Sequence, residues 1–368
     1  MASTMREALI RPSAISHNVS MLREHSSAAE TLVVVKANGY GHGALTAARA
    51  ALDGGATWLG TADIDEAMEL RQAGINAPVL AWLFGPADDL SGACENNIDM
   101  GISSLAQLEQ VSNAAQGRGA QRVHLKVDTG LSRSGVVPMD WEEFFAAVAT
   151  AQHSGHIEVV GIFSHLSGAS RESDLRQGEL FDQAQAHAAA HGITPSLRHL
   201  SASSAATELP SLAYDMVRLG IAAYGYPADQ TPLTALLRPA MRLSGQVVLT
   251  KAVGAGVGVG YGHTYATSSP TRLALVPLGY ADGVPRQASS AGPVVIEGTR
   301  YRVSGRVSMD QFSVDVGDSD VRVGQWCALW GDPAEGHPSV QEWAEAAGTI
   351  GYDIVTGVGP RVPRVVER

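Results

Sequence analysis

Eight short apolar runs, each followed by helix-like sequence, occupy the first part of this 368-residue chain. They read as strands at Leu32–Lys36, Thr57–Thr61, Val79–Leu83, Asp99–Ile102, Val123–Val127, Val159–Phe163, Arg198–Leu200 and Met216–Arg218. Strands that alternate with helices form a parallel sheet, and eight such units in about 230 residues is what a closed (β/α)8 barrel of the TIM type needs. The intervening helices carry their own start and stop signals. In "DIDEAMELRQAG", Asp63 is placed to cap the helix, Glu66 follows three residues on, and Gly74 ends it. "DWEEFFAAVATAQHSG" repeats the pattern with Asp140, Glu143 and Gly155.

After Tyr224 the pattern changes. "YGYPADQTPLTALLRP" is rich in proline and turn residues and reads as a domain connection. Short β-rich runs among glycines follow, with one helix announced by a capping box at Ser339 and Glu342. The expected organisation is α/β: a TIM-type barrel over residues 12–228, then a mostly-β domain over residues 229–368, with segment 1–11 packing on that domain. An apolar content of 45% and a charged content of 17% fit a globular enzyme. The net charge of −11 argues against nucleic acid or an anionic membrane as partner. The chain lacks both an apolar run long enough to span a bilayer and the apolar core of a signal peptide. Cys94 and Cys327 are far apart, without metal-ligand spacing. A cytoplasmic location without structural metal is therefore expected.

Catalytic side chains of such barrels sit at the C-terminal ends of the strands. Lys36 closes the first run, Lys126 and Asp128 close the fifth with Arg133 just beyond, His165 follows the sixth, and His199, Ser203 and Ser204 follow the seventh. Arg218 closes the eighth. Each has an ordinary structural explanation alone; a lysine, a histidine and two arginines around one mouth are a candidate site. A lysine in a dry pocket has a lowered pKa and can form a Schiff base, the way pyridoxal 5'-phosphate is most often held. The cofactor's phosphate would meet the loops after strands seven and eight, here Ser203–Ser204 and Gly220–Ile221.

The segments "VVVKANGYGHG", "LKVDTGLSRSG", "MVRLGIAAYG", "GYGHTY", "PLGYADGVPR", "GRVSMDQF" and "GTIGYDIVTGVGPRVPR" together resemble the alanine racemase family. The likeness runs in order from about Ile15 to Arg364. It implies that Lys36 holds the cofactor and serves as one acid/base, with Tyr261 as the other. It implies further that Tyr40, Tyr352, Ser204, Gly220 and Ile221 cradle the phosphate, that Arg218 faces the pyridine nitrogen, and that His165 links Arg218 to Tyr261. By the same resemblance, Arg133 contacts the cofactor's phenolic oxygen or the substrate carboxylate, and Tyr280, Met309 and Asp310 border the substrate site. Lys126 matches a lysine that is often carbamylated in this family. Because the second base comes from a partner subunit there, a homodimer is implied, acting on a small amino acid.

Two departures stand out. Ser203 replaces a usual asparagine, which removes amide donors from the cofactor-binding loop, and Gly351 stands where proline is frequent. The glycine-rich "GAGVGVGYG" accommodates no GxGxxG and lacks strand–helix context, so it is no dinucleotide site. Competing readings are a racemase of serine or another amino acid, a barrel-type decarboxylase, and a non-catalytic cofactor-binding protein.

Overall fold

The computed structural model describes residues 5–227, 231 and 233–367. The chain forms two compact units, one of Ser16–Ala37 and Ala48–Ala223, the other of Met1–Ile15, Asn38–Ala47 and Tyr224–Arg368. Strand β1 (Arg6–Ile10) belongs to the second of these. The first unit holds β2 (Glu30–Val34), β3 (Trp58–Asp63), β4 (Val79–Leu83), β5 (Ile98–Ile102), β6 (Gln121–Lys126), β7 (Ile157–Phe163), β8 (Leu197–His199) and β9 (Met216–Leu219).

These eight strands pair in parallel in the order β8-β7-β6-β5-β4-β3-β2-β9. A bridge between Ala202 and Arg218 and the bonds Arg218 N–H to Ser201 O (3.0 Å) and Asp215 N–H to Arg198 O (3.0 Å) join β9 back to β8 and close a barrel. All eight expected strands are present, Val79–Leu83 with the expected bounds and the other seven with shifted ends. The first stops at Val34 and not at Lys36, because its pairing with β3 ends at Val34 opposite Gly60. The last two residues of that run leave the sheet. Asp63 caps its helix as expected, its Oδ1 accepting the Glu66 N–H at 2.9 Å. Asp140 does not cap the next one. Pro138 opens a 3₁₀ turn over Pro138–Asp140 that runs straight into the helix, so Asp140 is already in helical conformation and its side chain makes no cap bond.

The second unit is built on β10 (Met241–Gln246), β11 (Leu249–Val253), β12 (Gly258–Val259), β13 (Tyr265–Ala266), β14 (Thr271–Val276), β15 (Pro293–Ile296), β16 (Thr299–Arg302), β17 (Phe312–Gly317), β18 (Trp326–Trp330) and β19 (Arg364–Val366). A six-stranded sheet runs β16-β15-β18-β10-β1-β19, a three-stranded sheet β11-β14-β17, and β12 and β13 form a ribbon. Trp330 and Trp343 meet edge to face at 5.7 Å in its core. Trp343 lies on the helix Val340–Ala347, which starts with the expected capping box of Ser339 and Glu342.

The backbone after β2 is the least ordinary part of the chain. Ala37, Asn38, Gly39, Tyr40 and Gly41 all have positive φ, between 50° and 81°. The turn Lys36–Tyr40 is thus left-handed from its second residue, a conformation that costs about 1–2 kcal/mol per non-glycine residue. Local bonds offset that cost. The Asn38 side chain accepts the Ala44 N–H at 2.9 Å, and the buried His42 donates from Nδ1 to the carbonyls of Tyr40 (2.8 Å) and Gly39 (3.1 Å). Arg364 Nε donates to the Gly41 carbonyl at 2.9 Å. A Cβ at Gly41 would lie 2.2 Å from the Val355 carbonyl oxygen. We therefore expect Gly41→Ala to lower stability by about 2–4 kcal/mol, read as a lower urea midpoint at unchanged m-value. An unchanged midpoint would contradict this packing.

Candidate active site

The C-terminal ends of the barrel strands gather the charged residues expected there. Lys36 stands two residues past β2, with its Nζ 5.8 Å from the centre of the Trp82 ring on β4. Lys126 ends β6; it is buried, and its Nζ lies 5.5 Å from the centre of the Phe163 ring on β7. The loop after β6 folds back on its own strand. Val136 N–H donates to Lys126 O at 2.9 Å, and Asp128 Oδ1 accepts the N–H groups of Gly130 (2.9 Å) and Ser132 (3.1 Å). This fixed loop presents Arg133 as an exposed guanidinium that makes no hydrogen bond among the described residues.

Arg218, on β9, is buried and has no carboxylate within ion-pair distance among the described residues. Carbonyls and imidazoles satisfy it instead. Nη1 donates to His199 O (2.9 Å) and His199 Nδ1 (3.1 Å), and Nη2 to Ser164 O (2.7 Å), Leu200 O (2.9 Å) and His165 Nδ1 (3.1 Å). Burial and the nearby Arg133 pull its pKa down to about 10.

The other bases feel the same field. Burial, then the Arg133 charge, pulls the Lys36 amine below its ordinary 10.5, and Glu66 partly opposes this. Lys126 falls to about 8 through burial, then through Arg218, Arg133 and Lys36, against the opposing charge of Asp128. His165 is lowered to about 3, chiefly by burial and next by Arg218. The mouth of the barrel therefore favours uncharged amines and a neutral histidine in a positive surrounding.

Glu66 has a further contact that the sequence did not disclose. Its Oε1 accepts the N–H of Ala37, next to Lys36, at 2.6 Å, and its Oε2 accepts the Ala62 N–H at 2.8 Å. The residue read only as a helix-start signal thus anchors the backbone of the lysine. On the loop after β8, the Ser203 hydroxyl accepts the Gly220 N–H at 2.9 Å, so serine bridges the two loops without the amide of the usual asparagine. That contact engages the Gly220 N–H. Ile221 heads the 3₁₀ turn Ile221–Tyr224, whose first N–H groups meet no carbonyl of their own turn. Ser204 is the second residue of the helix Ser203–Glu208.

The remaining residues singled out in the sequence lie in the second unit. Tyr40 and Tyr352 have ring centres 6.2 Å apart, and burial raises the Tyr40 pKa, with Tyr352 adding to the effect. Tyr280 and Met309 are brought together by the bonds Tyr280 N–H to Ser308 O and Ala281 N–H to Met309 O, both 3.0 Å. Asp310 pairs with Arg361 Nη1 at 2.7 Å. Tyr261 sits between Gly260 and Gly262, both at positive φ, in a turn that leaves it 71% exposed. Asp99 and His124, inside the barrel, were missed. Period-2 alternation could have found His124, since it shares a strand face with Lys126.

Comparison with known proteins bears on the family and the fold. Residues 10–228 match the family described as "Alanine racemase, N-terminal domain", and residues 240–366 match "Alanine racemase, C-terminal domain". The alanine racemase of Thermobifida fusca (strain YX) is 48% identical over 371 residues, covering 99% of this chain and 98% of the relative. The crystal structure of alanine racemase from a D-cycloserine producing Streptomyces lavendulae superposes with a TM-score of 0.98 at 43% identity, covering 100% of this chain and 98% of that one. Alanine racemase from Streptomyces coelicolor A3(2) gives a TM-score of 0.96 at 42% identity, covering 98% of both chains. With both domain families matched in order and the same fold shared end to end, the chain belongs to the alanine racemase family.

Proposed function

We propose that this protein interconverts L- and D-alanine with pyridoxal 5'-phosphate as cofactor, providing D-alanine for peptidoglycan. The observation that carries the reading is the Lys36 amine, shifted toward its neutral form by burial and by Arg133 at the end of a barrel strand. The residues present fit the cofactor. An amine shifted toward its neutral form suits its aldehyde, while the first N–H groups of the turn at Ile221, with the Ser204 hydroxyl, suit a phosphate dianion. When bound, the cofactor supplies the electron sink that makes an amino acid's α-proton removable.

The protein's part is to hold and move that proton. Racemisation needs a base on each face of the α-carbon. Lys36 serves one face, and Tyr261 of a second copy of the chain serves the other. Tyr40, Tyr352, Ser204 and Ile221 would hold the phosphate with the Gly220 backbone, Arg218 would face the pyridine nitrogen, and Arg133 would orient the phenolic oxygen or the substrate carboxylate. Arg218 cannot readily give up a proton, so a cofactor held there would have its ring nitrogen facing a donor and would supply a weaker electron sink. His165 connects Arg218 towards Tyr261, and the partner's entry to the site is bordered by Tyr280, Met309 and Asp310. The exposure of Tyr261 (71%), Met309 (53%) and Tyr280 (44%) supports a homodimer that covers this face. Lys126, turned by carbamylation from a cation into an anionic carbamate with release of a proton, would offer oxygens to Arg133.

Incubation of the cofactor-loaded protein with L-alanine in heavy water should yield D-alanine carrying α-deuterium, followed by chiral chromatography with mass detection. Absence of both exchange and inversion would refute the reading. In Tyr261→Phe we expect racemisation to be lost while exchange persists on the face served by Lys36, for one enantiomer only. Exchange of both enantiomers in that variant would remove Tyr261 from the mechanism.

Lys126 gives a prediction about pH. Its amine titrates near 8 when folded and 10.5 when unfolded, so between those values the unfolded chain binds more protons and stability rises with pH. In carbon-dioxide-free buffer, Lys126→Met should therefore be more stable than the parent below pH 8, by up to about 3 kcal/mol. The gap should close by pH 10.5, as followed by urea unfolding across pH. Adding bicarbonate should shrink the gap if the lysine is carbamylated.

A further inference from the structure

The barrel interior contains a continuous file of hydrogen-bonded polar side chains beneath the candidate site. At its lower end Asp99, on β5, takes a two-pronged contact from Arg122, with Nε to Oδ1 at 3.0 Å and Nη2 to Oδ2 at 3.1 Å. Asp99 Oδ2 also lies 3.3 Å from His124 Nε2. His124 Nδ1 is 2.8 Å from His199 Nε2, and His199 Nδ1 is 3.1 Å from Arg218 Nη1. Finally, Arg218 Nη2 is 3.1 Å from His165 Nδ1. Both His124 and His199 are fully buried, and Asp99 is 2% exposed.

The chemistry of the links leaves one assignment of protons. A guanidinium is donor only, so His199 Nδ1 and His165 Nδ1 must accept. A neutral His199 then carries its proton on Nε2 and donates it to His124 Nδ1. His124 in turn carries its proton on Nε2, where it meets the Asp99 carboxylate, an acceptor. If His124 were an imidazolium, or Asp99 were protonated, His124 would donate from Nδ1 to His199 Nε2. The His199 proton would then sit on Nδ1, facing the Arg218 donors. Burial also favours a neutral His199, holding it well below its ordinary range.

Packing fixes the rings in place. His199 stacks on Phe163 with ring centres 4.8 Å apart and planes within 2°, and Trp58 meets His124 edge-on at 5.4 Å. At Gly161 on β7 a Cβ would fall 2.2 Å from His124 Nδ1, so only glycine leaves room for the imidazole. With His124 and His199 fully buried, each member's orientation dictates the next.

We propose that Asp99, His124 and His199 are positioning residues of the site. The Asp99 carboxylate fixes both histidines with their protons on Nε2, so that His199 always presents a lone pair to Arg218. Arg218 in turn fixes His165 with its Nδ1 accepting and its Nε2–H pointing away from the guanidinium. The three residues touch neither substrate nor cofactor; they hold the guanidinium that does. This deepens the racemase reading and rests on it for the role of Arg218.

The test uses cofactor-loaded protein labelled with 15N-histidine, with the rings assigned by single His→Gln variants, and alanine kinetics on the same samples. In the parent, both buried rings should be neutral with the proton on Nε2, and the His199 Nδ1 resonance should carry the shift of a hydrogen-bonded lone pair. Asp99→Asn retains an acceptor oxygen but loses the charge. The tautomers should persist, the His199 Nδ1 resonance should move towards a free lone pair, and kcat should fall about five-fold with KM within about two-fold. Asp99→Leu removes the acceptor as well, and both changes should be larger; Arg122, 38% exposed, is left to water. A purely structural carboxylate would not move the His199 resonance in step with kcat. A parent ring that is charged or protonated on Nδ1 overturns the proposal, as does a kcat loss without movement of the His199 signal, or no change in either variant. Should Asp99→Leu fail to fold, the Asn variant alone decides. A parent with the expected rings but no alanine turnover would refute the racemase reading and leave the proton order standing, because the two are read from separate signals.

Discussion

A buried guanidinium with no carboxylate in ion-pair range among the described residues sets the charge inside this barrel. Arg218 is held by three carbonyls and two imidazole nitrogens, none of which cancels its charge. Its neighbours must therefore be acceptors, which forces His199 and His165 to be neutral and sets which nitrogen of each carries the proton. The uncancelled charge also reaches Lys126 and His165, where it adds to burial in favouring the uncharged forms. A carboxylate at the same place would have made an ordinary ion pair and removed that field. The cost of leaving it out is borne by the packed shell of Phe163, His199 and the strand carbonyls.

The second constraint is geometric. Lys36 has to leave β2 and enter the mouth at once, and the chain does this through five consecutive residues of positive φ. No local preference of alanine or tyrosine supports that conformation. It persists because Glu66 takes the Ala37 N–H on one side and Asn38, His42 and Arg364 hold the backbone on the other. Glu66 acts twice here, holding the backbone beside the lysine and opposing the fall of its pKa.

Much of this architecture could be read from the residues, and the failures have physical causes. The barrel followed from alternation of apolar runs and capped helices, because each unit is local in sequence. The end of the first strand was misplaced because Val35 and Lys36 continue the pattern of Leu32–Val34, while the sheet releases the chain at a point set by pairing with β3. Asp140 looks like Asp63 in sequence; only the pre-set φ of Pro138, two residues earlier, distinguishes them. Lys36, Lys126 and Arg218 were visible as charges at strand ends. Asp99 and His124 were not, since their partners lie on other strands and a polar residue mid-strand gives no local sign of what it meets. Roles for Tyr261, Tyr280, Met309 and Asp310 came from resemblance alone, because a tyrosine among glycines has no intrinsic chemistry.

The two constraints act in the same direction. Converging cations suit an anionic ligand, and burial together with the Arg133 charge shifts the amine of Lys36 toward its neutral, nucleophilic form. Once an anion occupies that field, part of the positive potential is cancelled and the pKa of a nearby amine must rise. The Lys36 amine, its pKa lowered in the open site, would thus become a better proton acceptor as the site fills. For this to work the guanidinium must neither swing towards the anion nor lose its orientation. The buried file from Asp99 to Arg218 supplies that restraint from inside the barrel.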